Sequence, residues 1–195
     1  MATAKKTTTK TAAKKTVAKK VEPVKDELEG WNSEKEVASF LGELIKLTKA
    51  KTVLEVGVFR GNTSIQIINA LPKGGYYVGI DIEDLVNQEN KQGFINHGKQ
   101  GKVIELVIGD SITEMPKLQK NHFDLVFIDG NHTFDHVLKE FKLAETLITR
   151  TGIIAFHDSL HLEDVKRVVE YAKAFNYNII NLDTPEGRGL ALVSR

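Results

Sequence analysis

The sequence contains no cysteine. Disulfides, thiolate zinc sites, iron–sulfur clusters and cysteine nucleophiles are therefore excluded, and the chain fits a reducing, cytoplasmic setting. No run of eighteen apolar residues occurs, and the N-terminus lacks the apolar core of a signal peptide, so the sequence predicts a soluble protein with no membrane partner. Acid is missing from the first 20 residues, which hold seven lysines; the remaining 175 residues carry 20 basic and 26 acidic groups, a formal charge of −6. That opening stretch also lacks aromatic residues and uses almost only Ala, Lys, Thr and Val. Such a composition cannot bury enough apolar surface to offset chain entropy, so residues 1–30 are expected to be a disordered basic arm and linker. The arm could contact nucleic acid or another polyanion by counterion release, or it could be a solvated tail that aids solubility. The length of 195 residues predicts one folded domain, expected over 31–195, and no internal repeat is visible.

The pattern changes at Ser33. Ser33 and Glu36 form a capping box, and Val37, Phe40, Leu41, Leu44 and Ile45 follow at helical spacing. Short apolar runs at 52–57, 76–82, 103–108, 123–129 and 152–157 then alternate with helical patterns at 62–70, 84–93, 112–119, 134–148 and 163–174. Runs such as Leu125-Val126-Phe127-Ile128 are apolar at consecutive positions, as parallel strands covered on both faces require. The fold class is therefore α/β and doubly wound. Two final strands, 178–182 and 189–193, are joined by Asp183-Thr184-Pro185-Glu186-Gly187, which is too short for a parallel crossover, so the last strand is expected to run antiparallel.

In such a sheet ligands bind beyond the carboxyl ends of the strands. The first strand ends in Glu55-Val56-Gly57-Val58-Phe59-Arg60-Gly61, an E-x-G-x-x-x-G pattern, before a helix opens at Asn62-Thr63-Ser64. The glycines let the backbone turn sharply and approach a ligand, and the helix N-terminus offers N–H groups to an anionic molecule; a turn that merely needs two glycines is the plainer reading. Asp81 ends the second strand about twenty residues after the loop, where an acid can accept two hydrogen bonds from a ribose diol. Asp110 and Ser111 end the third, suited to an adenine amino group or to capping the next helix. The fourth and fifth strands end in Asp129-Gly130-Asn131-His132 and His157-Asp158-Ser159. If those strands are neighbours, Asp129, His157 and Asp158 can converge as N and O ligands for a divalent ion. His132 can face the same cavity and take a proton near neutral pH; capping, loop solvation and core packing are the alternatives for these residues. His122, His136 and His161 are expected at the surface.

VLEVGVFRGNTS, YYVGIDIED, VIGDSITEMPKL, FDLVFIDGNHTFDHV and GIIAFHDSL, in that order and spacing, resemble the class I S-adenosylmethionine-dependent methyltransferases over about residues 33–195. E-x-G-x-x-x-G is similar to the variant of catechol-type and caffeoyl-CoA-type O-methyltransferases. D-G-N-H followed by H-D is similar to the metal-dependent sugar O-methyltransferases of macrolides and to the cephalosporin-hydroxylase-like group. The resemblance implies a Rossmann-like seven-stranded sheet with helices on both faces. It implies that Glu55, Gly57 and Gly61 surround the methionine part of S-adenosylmethionine, Asp81 the ribose, and Asp110 with Ser111 the adenine. Val58, Thr63, Ser64, Ile82 and Asp129 complete the cofactor's surroundings. Asp129 and Asp158 would be ligands of a divalent metal, magnesium or manganese, with His157 beside them where relatives carry an acid. Imidazole suits manganese, iron or zinc better than magnesium. Asp129 and His132 would be the catalytic pair, with His132 as the base.

The expected reaction is metal-assisted O-methylation of a small hydroxylated acceptor, a sugar or catechol-like diol. Whatever closes over that acceptor must come from Trp31, from residues 84–102 or from another subunit of a homo-oligomer. The rival readings are a nucleic-acid methyltransferase, which would lack the N/D-P-P-Y signature, and an inactive cofactor-binding or structural module anchored by its basic arm. A nicotinamide dehydrogenase fits less well, because Phe59 stands where its second glycine should let a pyrophosphate approach.

Overall fold

The computed structural model describes residues 35–195. The expectations for the basic arm, for Ser33 as a cap and for Trp31 fall outside the described residues. Within them, strands β1 (Thr52–Val56), β2 (Tyr76–Asp81), β3 (Val103–Ile108), β4 (Phe123–Ile128), β5 (Ile148–His157), β6 (Asn178–Leu182) and β7 (Leu190–Ser194) form one sheet in the order β3-β2-β1-β4-β5-β7-β6. β1 to β5 are parallel, and β7 runs antiparallel to both β5 and β6. The short turn ahead of β7 thus has the consequence expected of it. Strand order reverses between β1 and β4, which places the crevice at the tips of those strands.

Alternate residues of each central strand feed two cores. Leu54, Val78, Val126, Ile154 and Phe156 face α5 (Phe134–Leu147) and α6 (Glu163–Ala174). Val53, Tyr77, Leu125, Phe127 and Ala155 face α1 (Lys35–Thr48), α2 (Asn62–Ala70) and α3 (Gln88–Lys99). This two-sided burial explains why the runs are apolar at consecutive positions. The edge strand β3 differs: Val103, Leu106 and Ile108 are exposed.

Two helices depart from expectation. A helix is expected over 84–93, but α3 starts at Gln88, because the Asn87 side chain caps it by accepting from the Asn90 N–H at 2.8 Å. Leu85 and Val86 precede that cap in a loop. The pattern at 112–119 resolves into a single turn, α4 (Ser111–Glu114), followed by a 3-10 turn over Met115–Lys117 that contains Pro116. No helix among the described residues is long and apolar enough to cross a membrane.

Candidate active site

The Gly57–Gly61 loop lies where the strand tips meet, and its shape is fixed from both sides. Gly57 has φ 91°, and a Cβ there would stand 2.2 Å from the carbonyl oxygen of Asp129. Only glycine lets β1 pass this close to the tip of β4. On the other side, Asp81 Oδ2 accepts the Phe59 N–H at 2.6 Å and Oδ1 accepts the Glu83 N–H at 3.1 Å. Each oxygen retains a lone pair for a further donor. Phe59 itself takes a left-handed φ of 47°, held by the Asp81 bond. Asp81 and Asp129 therefore flank the same loop. Gly61 ends the loop at φ 80°, where a Cβ would press on Phe94 and Val86. α3 thus backs the loop, and Asn90 joins it by donating to the Arg60 carbonyl at 2.9 Å and the Asn62 side chain at 3.0 Å.

The side chains expected around a cofactor fall into two groups. Val58, Thr63 and Ser64 are buried, so Thr63 and Ser64 would meet a ligand through the first-turn N–H groups of α2 rather than through their hydroxyls. Glu55 is wholly buried, and the Tyr77 hydroxyl donates to its Oε2, while its Oε1 has no hydrogen-bond partner among the described residues. Burial pushes the Glu55 carboxyl up from 4.5 to about 8. Ile82 is exposed, and a hollow lined by Val58, Gly79, Asp81, Val86, Leu106 and Ile108 opens beside it. Asp110 caps α4, its Oδ1 accepting from the Ile112 N–H at 3.4 Å, and Ser111 is buried against α5.

At the tips of β4 and β5 the ionisable groups converge. Ligand atoms of Asp129, His132 and Asp158 lie within 4.8 Å of one another. His132 Nε2 is 3.4 Å from an oxygen of each acid. His157 joins Asp129 and Asp158, as its sequence position suggests, but from the buried side. Its side chain is fully buried, and Nδ1 lies 3.1 Å from Asp129 Oδ1 and 3.3 Å from Asp158 Oδ2, between the two carboxylates. Asp158 is held in a left-handed conformation, φ 56°, and Arg188 from the turn before β7 grips both of its oxygens.

These contacts set the charges. Burial alone would raise Asp158, but hydrogen bonds from His157 and Arg188 hold its carboxyl below the usual range. Burial pulls both imidazoles down, and the acids outweigh it: His132 stays above its ordinary value and His157 rises to about 9. The surface placement expected for three other histidines holds for His161. His122 instead packs its ring edge-on to Tyr76 and Phe123, with centroids 5.5 and 5.3 Å away, and His136 bonds to Ser111. Glu140 and Arg188 carry no signal of their own by residue spacing, although Glu140 falls on the apolar stripe of α5 with Val137, Phe141 and Ala144.

A family model described as a methyltransferase domain matches residues 54–159, more than half of the chain. The chain belongs to the methyltransferase domain family. The match runs from β1 to the turn after β5, so this methyltransferase domain carries the glycine loop and both acid-bearing tips within the shared region. Among sequence relatives, the chain is 30% identical over 141 residues to a caffeoyl-CoA O-methyltransferase of Pinus taeda, covering 67% of this chain and 52% of that protein. It is 31% identical over 124 residues to the tapetum-specific methyltransferase 1 of Arabidopsis thaliana, covering 62% and 52% respectively. The chain spans about half the length of these relatives. Among solved structures, the fold matches the O-methyltransferase TomG of Streptomyces achromogenes in complex with SAM, at 20% identity, TM-score 0.70 and 86% and 83% coverage. An O-methyltransferase of Bacillus cereus in complex with SAH aligns at 17% identity, TM-score 0.71 and 86% and 84% coverage. The methyltransferase domain therefore has the Rossmann-like fold of these enzymes.

Proposed function

We propose that this chain is an S-adenosylmethionine-dependent O-methyltransferase of a small hydroxylated acceptor, a sugar or catechol-like diol. The observation that carries the reading is the meeting of two dissimilar half-sites at one loop: glycine backbone and Asp81 on one side, Asp129, His132 and Asp158 on the other. The first half suits a nucleoside and the second suits a hydroxyl that must lose a proton. Family membership and relatives named as O-methyltransferases support the same conclusion.

Methyl transfer from a sulfonium needs the acceptor oxygen in line and roughly 3–3.5 Å away, so positioning carries much of the rate. In this reading Asp81 holds the ribose, the Asp110–Ser111 turn holds the adenine, and the tip of β4 brings Asp129 to the methyl end. His132, partly open to solvent while its neighbours are buried, accepts the acceptor's proton at Nε2, with Asp129 and Asp158 stabilising the imidazolium that results. His157 orders the two carboxylates from behind.

Asp129 and Asp158 offer carboxylate oxygens suited to a divalent ion such as magnesium or manganese. Asp129 and Asp158 would hold it. A bound ion of this kind supplies Lewis acidity, lowering the pKa of a coordinated hydroxyl. His132 lies close enough to serve as a third ligand, but its greater exposure favours the role of base.

Transfer of a labelled methyl group from S-adenosylmethionine to a panel of sugars and catechols, with and without chelator and added manganese, tests the reading. Product on a diol that disappears in Asp129→Asn supports it. Labelling of nucleic acid instead, lost on deleting residues 1–20, would replace it with the polyanion reading.

A further inference from the structure

Glu140 has no part in the mechanism above, yet its carboxyl is placed with care. It lies on the inner stripe of α5, fully buried. Its Oε1 accepts the Ser111 hydroxyl at 2.6 Å, stands 3.2 Å from His136 Nε2, and lies 3.7 Å from where a Cβ on Gly130 would be. Ser111 Oγ is itself 3.0 Å from His136 Nε2, and that nitrogen is 3.7 Å from Asp110 Oδ1. One carboxyl therefore touches the turn after β3 and sits under the turn after β4. Its Oε2 is buried with no hydrogen-bond partner among the described residues. Burial pushes the group up from 4.5 to about 7.

An apolar residue would be the ordinary occupant of this stripe. A leucine at 140 would remove the carboxyl acceptor of the buried Ser111 hydroxyl and leave it only the partly exposed His136 as a partner. A glutamine would keep both the size and the accepting oxygen. The turn at stake is short, because α4 is a single helical turn with little structure of its own to hold Asp110 and Ser111 in place.

We propose that Glu140 is a positioning residue for the purine end of the cofactor: through Ser111 and His136 it fixes the Asp110–Ser111 turn to α5 before the ligand arrives. The proposal rests on the reading of that turn as adenine-facing. A carboxyl that preorganises a binding turn acts on affinity and leaves the chemistry alone, as supporting hydrogen bonds do elsewhere.

Calorimetric titration with S-adenosylhomocysteine, joined to steady-state kinetics, tests it on wild type, Glu140→Gln and Glu140→Leu. Glu140→Leu should weaken binding about tenfold and raise KM for S-adenosylmethionine to match, with kcat changed less than about threefold. Glu140→Gln should bind within about threefold of wild type. If Glu140→Leu does not melt cooperatively, Glu140→Met, which keeps the length of the side chain without its acceptor, replaces it, with the same roughly tenfold loss expected. A folded Glu140→Leu, or Glu140→Met in its place, that binds as wild type does overturns the proposal while leaving the function intact. Wild type that fails to bind S-adenosylhomocysteine overturns the function and this inference with it.

Discussion

Arg188 and Asp158 form a two-pronged ion pair at the tip of β5: Nε lies 2.7 Å from Oδ1 and Nη2 lies 3.0 Å from Oδ2. The Arg188 carbonyl also accepts the N–H groups of Leu160 and His161 at 3.0 and 3.1 Å. The β6–β7 turn therefore clasps the Asp158 turn by main chain and side chain together. This clasp holds a non-glycine residue at positive φ and keeps its carboxylate ionised at 1% exposure.

Arg188→Met should leave that buried carboxylate with only His157 and His132 as partners and cost roughly 2–3 kcal/mol of stability, measured by urea unfolding. Arg188→Lys keeps the charge but not the fork, and should recover only part of the loss. If both variants unfold at the wild-type denaturant concentration, the pair is not a structural element.

Gly57→Ala places a methyl group against the Asp129 carbonyl at a φ that alanine disfavours. The tips of β1 and β4 must then separate. We expect a loss of more than about 2 kcal/mol and weakened S-adenosylhomocysteine binding. Wild-type stability and affinity in this variant would mean that the two tips are not held in contact in solution.

Glu55 predicts a pH dependence of stability. Its carboxyl titrates at about 8 in the folded chain and near 4.5 when exposed, so between those values the folded state binds the extra proton. Stability from this group is complete below the lower value and is lost as pH rises through the upper one. The slope should reach up to about 1.4 kcal/mol per pH unit, and Glu55→Gln should flatten it. Equal slopes in wild type and variant between pH 5 and about 8 would contradict the burial of an acid here.

His132→Ala should lower turnover by roughly 10²–10⁴-fold and leave S-adenosylhomocysteine binding unchanged, if the imidazole serves as the base. Asp158→Ala should likewise spare cofactor binding and abolish turnover. Loss of cofactor affinity in His132→Ala would move that residue to the other half of the site.

The parallel strands were legible because burial on both faces removes the polar positions from Leu54 to Val56 or Leu125 to Ile128, apart from Glu55. Glu55 was equally visible as an acid at a strand end, but its burial against Tyr77 was not. The start of α3 is not legible in the sequence because Leu85 and Val86 mimic helical spacing, while the cap that decides the matter is Asn87. Asp129, His157 and Asp158 could be gathered from the adjacency of β4 and β5, and His132 from its place three residues after Asp129. Arg188 could not, since its contact depends on how the β6–β7 turn folds back on β5. His157 does reach both acids, as the strand order implies, but its full burial between them is not legible from its place in the sequence.

On the proposed function, one loop braced by Asp81 and Asp129 forms a nucleoside site beside an acid–base cluster. Calorimetric titration of S-adenosylhomocysteine into wild type, Asp81→Ala and His132→Ala tests it most directly. Saturable binding is expected for wild type and His132→Ala, with a loss of at least about tenfold for Asp81→Ala. Absence of binding to the folded wild type, or equal binding in the Asp81→Ala variant, would contradict it.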